Sequence, residues 1–126
     1  MATTDDVRRI ALSLPGVSEG EGYFAFGFTI KGKHKGFIWA WNERVEPKRA
    51  RVPNLNVLAV RVASLSAKEL LLASDTERFF TEPHYNGFPA ILVRLEKIEP
   101  DALEELILEA WRCMAPKELL RQLKEP

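Results

Sequence analysis

Apolar residues recur at Val7, Ile10, Ala11 and Leu14, and these spacings of three, four and seven predict a helix over 4–14. Asp5 and Asp6 fall in its first turn, where acidic groups favour the positive end of the helix dipole, and Pro15-Gly16 ends it. From Tyr23 the period becomes two. Phe24, Phe26, Phe28 and Ile30 alternate with Ala25, Gly27 and Thr29, which predicts a strand with one apolar face. Residues 31–36 form a polar turn segment. Beyond it Phe37, Trp39 and Trp41 alternate with Ile38 and Ala40, completing a hairpin. Residues 42–56 hold two prolines and no periodicity, so they are expected as a long connection. A third strand follows over 57–62, with Leu58, Val60 and Val62 on one side and Val57, Ala59 and Arg61 on the other.

Ser66 and Glu69 have the spacing of a capping box, with Leu65 and Leu70 at the positions of a hydrophobic staple, predicting a short helix through Ala73. After the polar stretch 74–89, Ile91, Val93 and Leu95 mark a fourth strand over 90–95. Pro100 suits the first turn of a helix whose stripe is Leu103, Leu106, Ile107, Ala110, Trp111 and Met114. Pro116 breaks it before a last amphipathic turn carrying Leu119, Leu120 and Leu123. The order helix, three strands, helix, strand, helix predicts a two-layer α+β domain over 1–126, an antiparallel sheet with helices packed on it.

Composition supports one folded core. The 126 residues are 46% hydrophobic and 29% charged, a globular balance. Cys113 is the one cysteine, so an intramolecular disulfide is excluded, and an inert core position is the common fate of such a residue. The first residues lack the basic start and apolar run of a signal peptide, and no apolar stretch reaches membrane-spanning length, so a cytoplasmic location is expected.

The 18 basic and 18 acidic side chains cancel, so any anionic partner needs a local patch. Residues 26–61 supply one, with eight Lys/Arg against two Glu. Lys31, Lys33, Lys35, Arg44, Lys48, Arg49 and Arg51 lie in the turn and the long connection, two adjacent loops that would form one surface reaching phosphates.

No catalytic or metal-binding pattern accompanies this charge. His34 and His84 share no ligand spacing with each other or with Cys113. The glycines match neither a dinucleotide fingerprint nor a phosphate loop, and no serine has a nucleophile-elbow context. The expectation is a non-enzymatic protein without cofactor. The aromatic group Tyr23, Phe24, Phe26, Phe28, Phe37, Trp39 and Trp41 is commonly core, though aromatic rings on a sheet also stack single-stranded bases. Phe79 and Phe80 are expected to anchor their loop to the same core. A ligand pocket between the 74–89 loop and the sheet, with His84 and Tyr85 as polar contacts and Arg61 or Arg94 as an anion clamp, is the remaining arrangement.

The segments VRRIALSLPGVSEGEGYFAFGFTIKGK (7–33), KGFIWAW (35–41) and FFTEPHYNGFPAILVRL (79–95), followed by a long amphipathic helix, resemble the MmcQ/YjbR family of small bacterial proteins. Gly87-Phe88-Pro89 stands where the commoner family pattern has a tryptophan-asparagine pair. The resemblance implies an α+β fold similar to double-wing DNA-binding domains and to secretion chaperones that bind protein segments. The leading expectation is therefore a DNA-binding protein, monomer or weak dimer, with Lys33, Lys35, Lys48, Arg49 and Arg51 on phosphates. The alternative is a module that takes a peptide or partner protein on its sheet.

Overall fold

The computed structural model describes residues 1–20, 24–43 and 52–124. Helix α1 (Thr4–Leu12) leads to strands β1 (Ser18–Glu19), β2 (Ala25–Ile30), β3 (Lys33–Glu43) and β4 (Val52–Arg61). Helix α2 (Leu65–Ser74), strand β5 (Phe79–Phe80), a 3-10 turn over Pro83–Tyr85 and strand β6 (Ala90–Arg94) follow. A second 3-10 turn (Leu95–Lys97) precedes helices α3 (Pro100–Met114) and α4 (Lys117–Lys124). The sheet is antiparallel, in the order β1-β2-β3-β4-β6-β5. The predicted α+β class and the main elements stand; the short strands β1 and β5 were not foreseen.

Thr3 caps α1. Its hydroxyl accepts from the Asp6 amide at 3.2 Å, and its own amide donates to Asp6 Oδ2 at 2.9 Å. The apolar stripes of α1 (Val7, Ile10, Ala11) and α3 (Leu103, Ile107, Ala110, Trp111) bury against Phe26, Phe28, Ile38, Leu58, Val60, Ile91 and Val93. Ala67, Leu71, Leu119 and Leu120 bring α2 and α4 onto the same cluster, so all four α-helices cover one face of the sheet. Trp111 is fully buried, and its Nε1 donates to Pro15 O at 3.0 Å, tying α3 to the turn that ends α1.

Three local expectations are corrected. Lys31 and Gly32 both have positive φ, the geometry of a two-residue hairpin turn that follows the sheet twist, so β3 begins at Lys33 and not after residue 36. The connection after β3 is shorter than 42–56, because Trp41, Asn42 and Glu43 pair with Asn54, Pro53 and Val52. Pro53 is tolerated in β4 because β6 pairs only with Val57–Arg61, leaving the proline's other edge without a ladder to interrupt. Finally, α2 is capped by Ser64, whose side chain accepts from the Ala67 amide at 3.1 Å, not by Ser66. Starting two residues earlier turns Lys68 and Leu71 inward, while Leu65 and Leu70 are exposed and form no staple.

Three carboxyls sit below their ordinary range. Asp6 is held down by the Thr3 amide, Glu19 by the Arg8 guanidinium and Asp75 by the Arg78 guanidinium. The unfolded chain therefore binds more protons than the folded one just below the ordinary carboxylate values, and this stabilisation is lost as pH falls through the folded values. Urea midpoints are expected to decline below about pH 4, with Asp75→Asn showing a shallower decline than the parent. Identical acid profiles would exclude Asp75 as a contributor.

Candidate functional site

The face of the sheet opposite the helices carries a separate cluster. Val57, Ala59 and Leu92 are buried there, with the half-buried rings of Trp39, Trp41, Phe80 and Tyr85 packed on them, and no α-helical residue belongs to it. A β-bulge sorts the aromatics between the two faces. Phe26 pairs with Ile38 while Gly27 pairs with Gly36, so Phe37 is the extra residue. The bulge lets Phe37 and Ile38 both enter the helix-side core, where Phe37 stacks on Phe28 at 5.4 Å. Trp39 and Trp41 are thereby separated from Phe37, whose face they were expected to share. Phe80 likewise faces the helix-free side, while its neighbour Phe79 joins the main core.

The segment 81–89 borders this face and is pinned to it. Trp39 Nε1 donates to Tyr85 Oη at 3.0 Å, and Trp41 meets Phe80 edge-on at 5.6 Å. The Trp41 Nε1 proton is buried without an acceptor among the described residues. From α2, Lys68 passes beneath the segment. It is 4% exposed, and its ammonium donates to Tyr85 O and, at 3.0 Å, to Phe88 O. Burial pushes its pKa down. Nothing in its surface-like sequence context marked Lys68 as an internal residue.

Two arginines flank the face. Arg94 lies 4.1 Å over the Phe80 ring and donates to Glu77 O at 3.1 Å and Thr76 O at 3.4 Å. Arg61, at the end of β4, lies 4.9 Å over the Phe88 ring and has no hydrogen-bond acceptor among the described residues. His34 Nε2 is 3.2 Å from Ser18 O, beside a cavity of about 290 Å³ bordered by Ala25 and Trp39.

Lys33 and Lys35 are exposed on β3. Their partners Ile30 and Phe28 share the helix-covered face, so the two lysines project from the side opposite Trp39. Lys48, Arg49 and Arg51, with Arg44, lie outside the described residues. They belong to the connection that leaves β3 at Glu43, at the opposite end of that strand from Lys33 and about 33 Å away at the usual rise. The two basic segments are thus joined to opposite ends of β3. Cys113, expected in the core, is exposed on α3. Among the described residues no group of three His, Cys, Asp or Glu converges as metal ligands would, and no helix is long and apolar enough to cross a membrane.

No family model matches the chain. The crystal structure of Deinococcus radiodurans protein DR2400, a DUF419 domain, shares the fold with a TM-score of 0.69 at 18% identity, covering 100% of this chain and 91% of that one. The uncharacterized proteins Rv2570 of Mycobacterium tuberculosis and Mb2600 of Mycobacterium bovis are each 37% identical over 122 residues, which is 96% of this chain and 95% of theirs. With that identity over nearly its whole length, the chain belongs to the same family as these uncharacterized mycobacterial proteins.

Proposed function

We propose that this is a non-enzymatic DNA-binding protein that receives single-stranded DNA on the helix-free face of its sheet, in keeping with its resemblance to MmcQ/YjbR proteins. The observation that carries this reading is the cluster of half-buried Trp39, Trp41, Phe80 and Tyr85 rings beside the Arg94 guanidinium. Half-buried rings on a sheet offer apolar surface to unstacked bases, and an adjacent cation suits the phosphate backbone. Bases inside a duplex cannot reach such a surface, so single strands are favoured over double strands. Lys33 and Lys35 project from the helix-covered side, so the phosphate contact at this face is assigned to Arg94, with Lys48, Arg49 and Arg51, which follow β3 in the sequence, as further candidates.

Fluorescence anisotropy with labelled DNA tests this. Single-stranded DNA is expected to bind with micromolar affinity at about 50 mM salt and much more weakly at about 200 mM, with duplex binding weaker throughout. Trp39→Ala is expected to weaken binding by about tenfold, the scale of losing one stacked base. Combined charge reversal at Lys48, Arg49 and Arg51 should weaken it and flatten its salt dependence. No binding at low salt would end the proposal and favour a protein partner. Unchanged affinity in Trp39→Ala would remove the sheet face as the site.

A further inference from the structure

A second concave surface lies away from the helix-free face, between α2 and α3. It encloses about 600 Å³, within the range of small-molecule pockets. Val62, Ala67, Leu70, Leu71 and Leu106 make its walls, and Leu70 is 72% exposed although it sits mid-helix. The α2 residues that line it run from Ala67 to Ser74, about 10 Å at the usual helical rise, which with Val62 and Leu106 opposite gives the groove room for the body of a medium-chain acyl group.

Charge at this groove is specific. Arg112 is neutralised by Glu109 at 2.6 Å. Arg61 is not neutralised: it lines the same groove, its Nε is sealed from solvent without an acceptor, and no ion pair reaches it among the described residues. The other half-buried arginines all have oxygen acceptors, Arg8 on Glu19, Arg78 on Asp75 and Arg94 on two carbonyls. A buried guanidinium N–H without an acceptor is costly, and an anionic partner reaching that group would offset the cost. The Phe88 ring, 4.9 Å from Arg61 Cζ, occupies one side of the guanidinium and leaves other directions for a carboxylate.

We propose that the α2–α3 groove binds a medium-chain amphiphilic carboxylate, with its alkyl chain along Leu70, Leu71 and Leu106 and its carboxylate on Arg61. One anionic head and one apolar body match one uncompensated cation at one apolar groove. A neutral or cationic amphiphile would leave Arg61 without a partner. Apart from Arg61, which borders the helix-free face, the groove shares no residue with the DNA surface proposed above, and neither reading depends on the other.

Cys113, the chain's one cysteine, lines the groove and is exposed, so it reports occupancy without any substitution. The test measures the rate of N-ethylmaleimide labelling of Cys113 in the full chain with dodecanoate, dodecanol or dodecyltrimethylammonium, each below its micelle concentration. Dodecanoate is expected to slow labelling saturably, by about fivefold or more, and the neutral and cationic compounds to do so only at tenfold higher concentrations. Arg61→Gln is expected to raise the half-protecting dodecanoate concentration about tenfold or more, with Arg61→Lys between it and the parent. The headgroup series on the parent chain decides the question even if Arg61→Gln fails to fold. Equal protection by all three compounds, no protection, or acceleration by dodecanoate would overturn the proposal. Ligand-free protection that rises with protein concentration alongside a sedimenting dimer would also overturn it, assigning the groove to a second copy.

Discussion

Gly27→Ala is expected to destabilise the fold by more than about 3 kcal/mol, while Gly36→Ala, directly across the ladder, should cost under about 1 kcal/mol. The two glycines form one cross-strand pair, yet they meet different surroundings. A Cβ on Gly27 would stand 2.0 Å from the Lys35 carbonyl oxygen and 2.6 Å from Gly36 Cα, both backbone atoms that no rotamer change can move. A Cβ on Gly36 would find its nearest neighbours at 3.8 Å, ordinary van der Waals contact. The close approach at Gly27 belongs to the Phe37 bulge. Relieving it would pull β2 from β3 and disturb the stacked Phe28 and Phe37 rings that fill the core. For a domain of this size the expected loss lowers the melting temperature by about 10 °C. Urea unfolding of both variants checks this, and equal midpoints would show that the bulge yields without cost.

That bulge also marks where pattern reading stops. Strict alternation located β2, and with it the burial of Phe26 and Phe28 under the helix carrying Trp111, because period two survives wherever a strand is regular. It also divided Leu58, Val60 and Val62 from Val57 and Ala59. An inserted residue breaks the period, and nothing in Gly36-Phe37-Ile38 announces which residue is extra. The consequence reaches the candidate site: on alternation alone Phe37, Trp39 and Trp41 form one face, whereas the bulge buries the first and presents the other two away from the helices.

Charge was legible as composition but not as position. Eight basic residues within 26–61 are plain in the sequence, yet whether two loops adjoin depends on the strand between them. Residues 33–43 form one eleven-residue strand, with the two basic segments joined to its opposite ends. The cap of α2 illustrates the same limit at short range. Ser64 and Ser66 are both competent N-caps, and tertiary packing chooses the one that turns Lys68 inward. The sequence offers Arg61 as one of two candidate anion clamps, but not that its Nε is left without an acceptor, because that follows from where α3 and Phe88 come to rest.

Lys68→Met should separate local order from global stability more sharply than other substitutions in the molecule. The ammonium of Lys68 donates to the carbonyls of Tyr85 and Phe88, and charged hydrogen bonds of this kind contribute about 1.5–3 kcal/mol each. Removing it also relieves a buried cation of its desolvation cost, which opposes that loss. The two carbonyls lie in a border segment whose Phe88 is exposed, so water can reach them if the segment lifts. Local opening is therefore the cheaper response. Global stability is expected to fall by only about 1–2 kcal/mol, while amide exchange across Glu82–Phe88 accelerates by about tenfold or more. The Trp39–Tyr85 hydrogen bond should weaken with it, giving a change in tryptophan fluorescence. A pH signature accompanies the loss. Burial depresses the Lys68 pKa, so the unfolded chain binds the proton more tightly, and stability rises with pH between the folded value and the ordinary lysine value. Lys68→Met should flatten that alkaline rise. Unchanged exchange over the segment would show that Tyr85 and its contacts with Trp39, rather than the lysine, hold the border of the helix-free face.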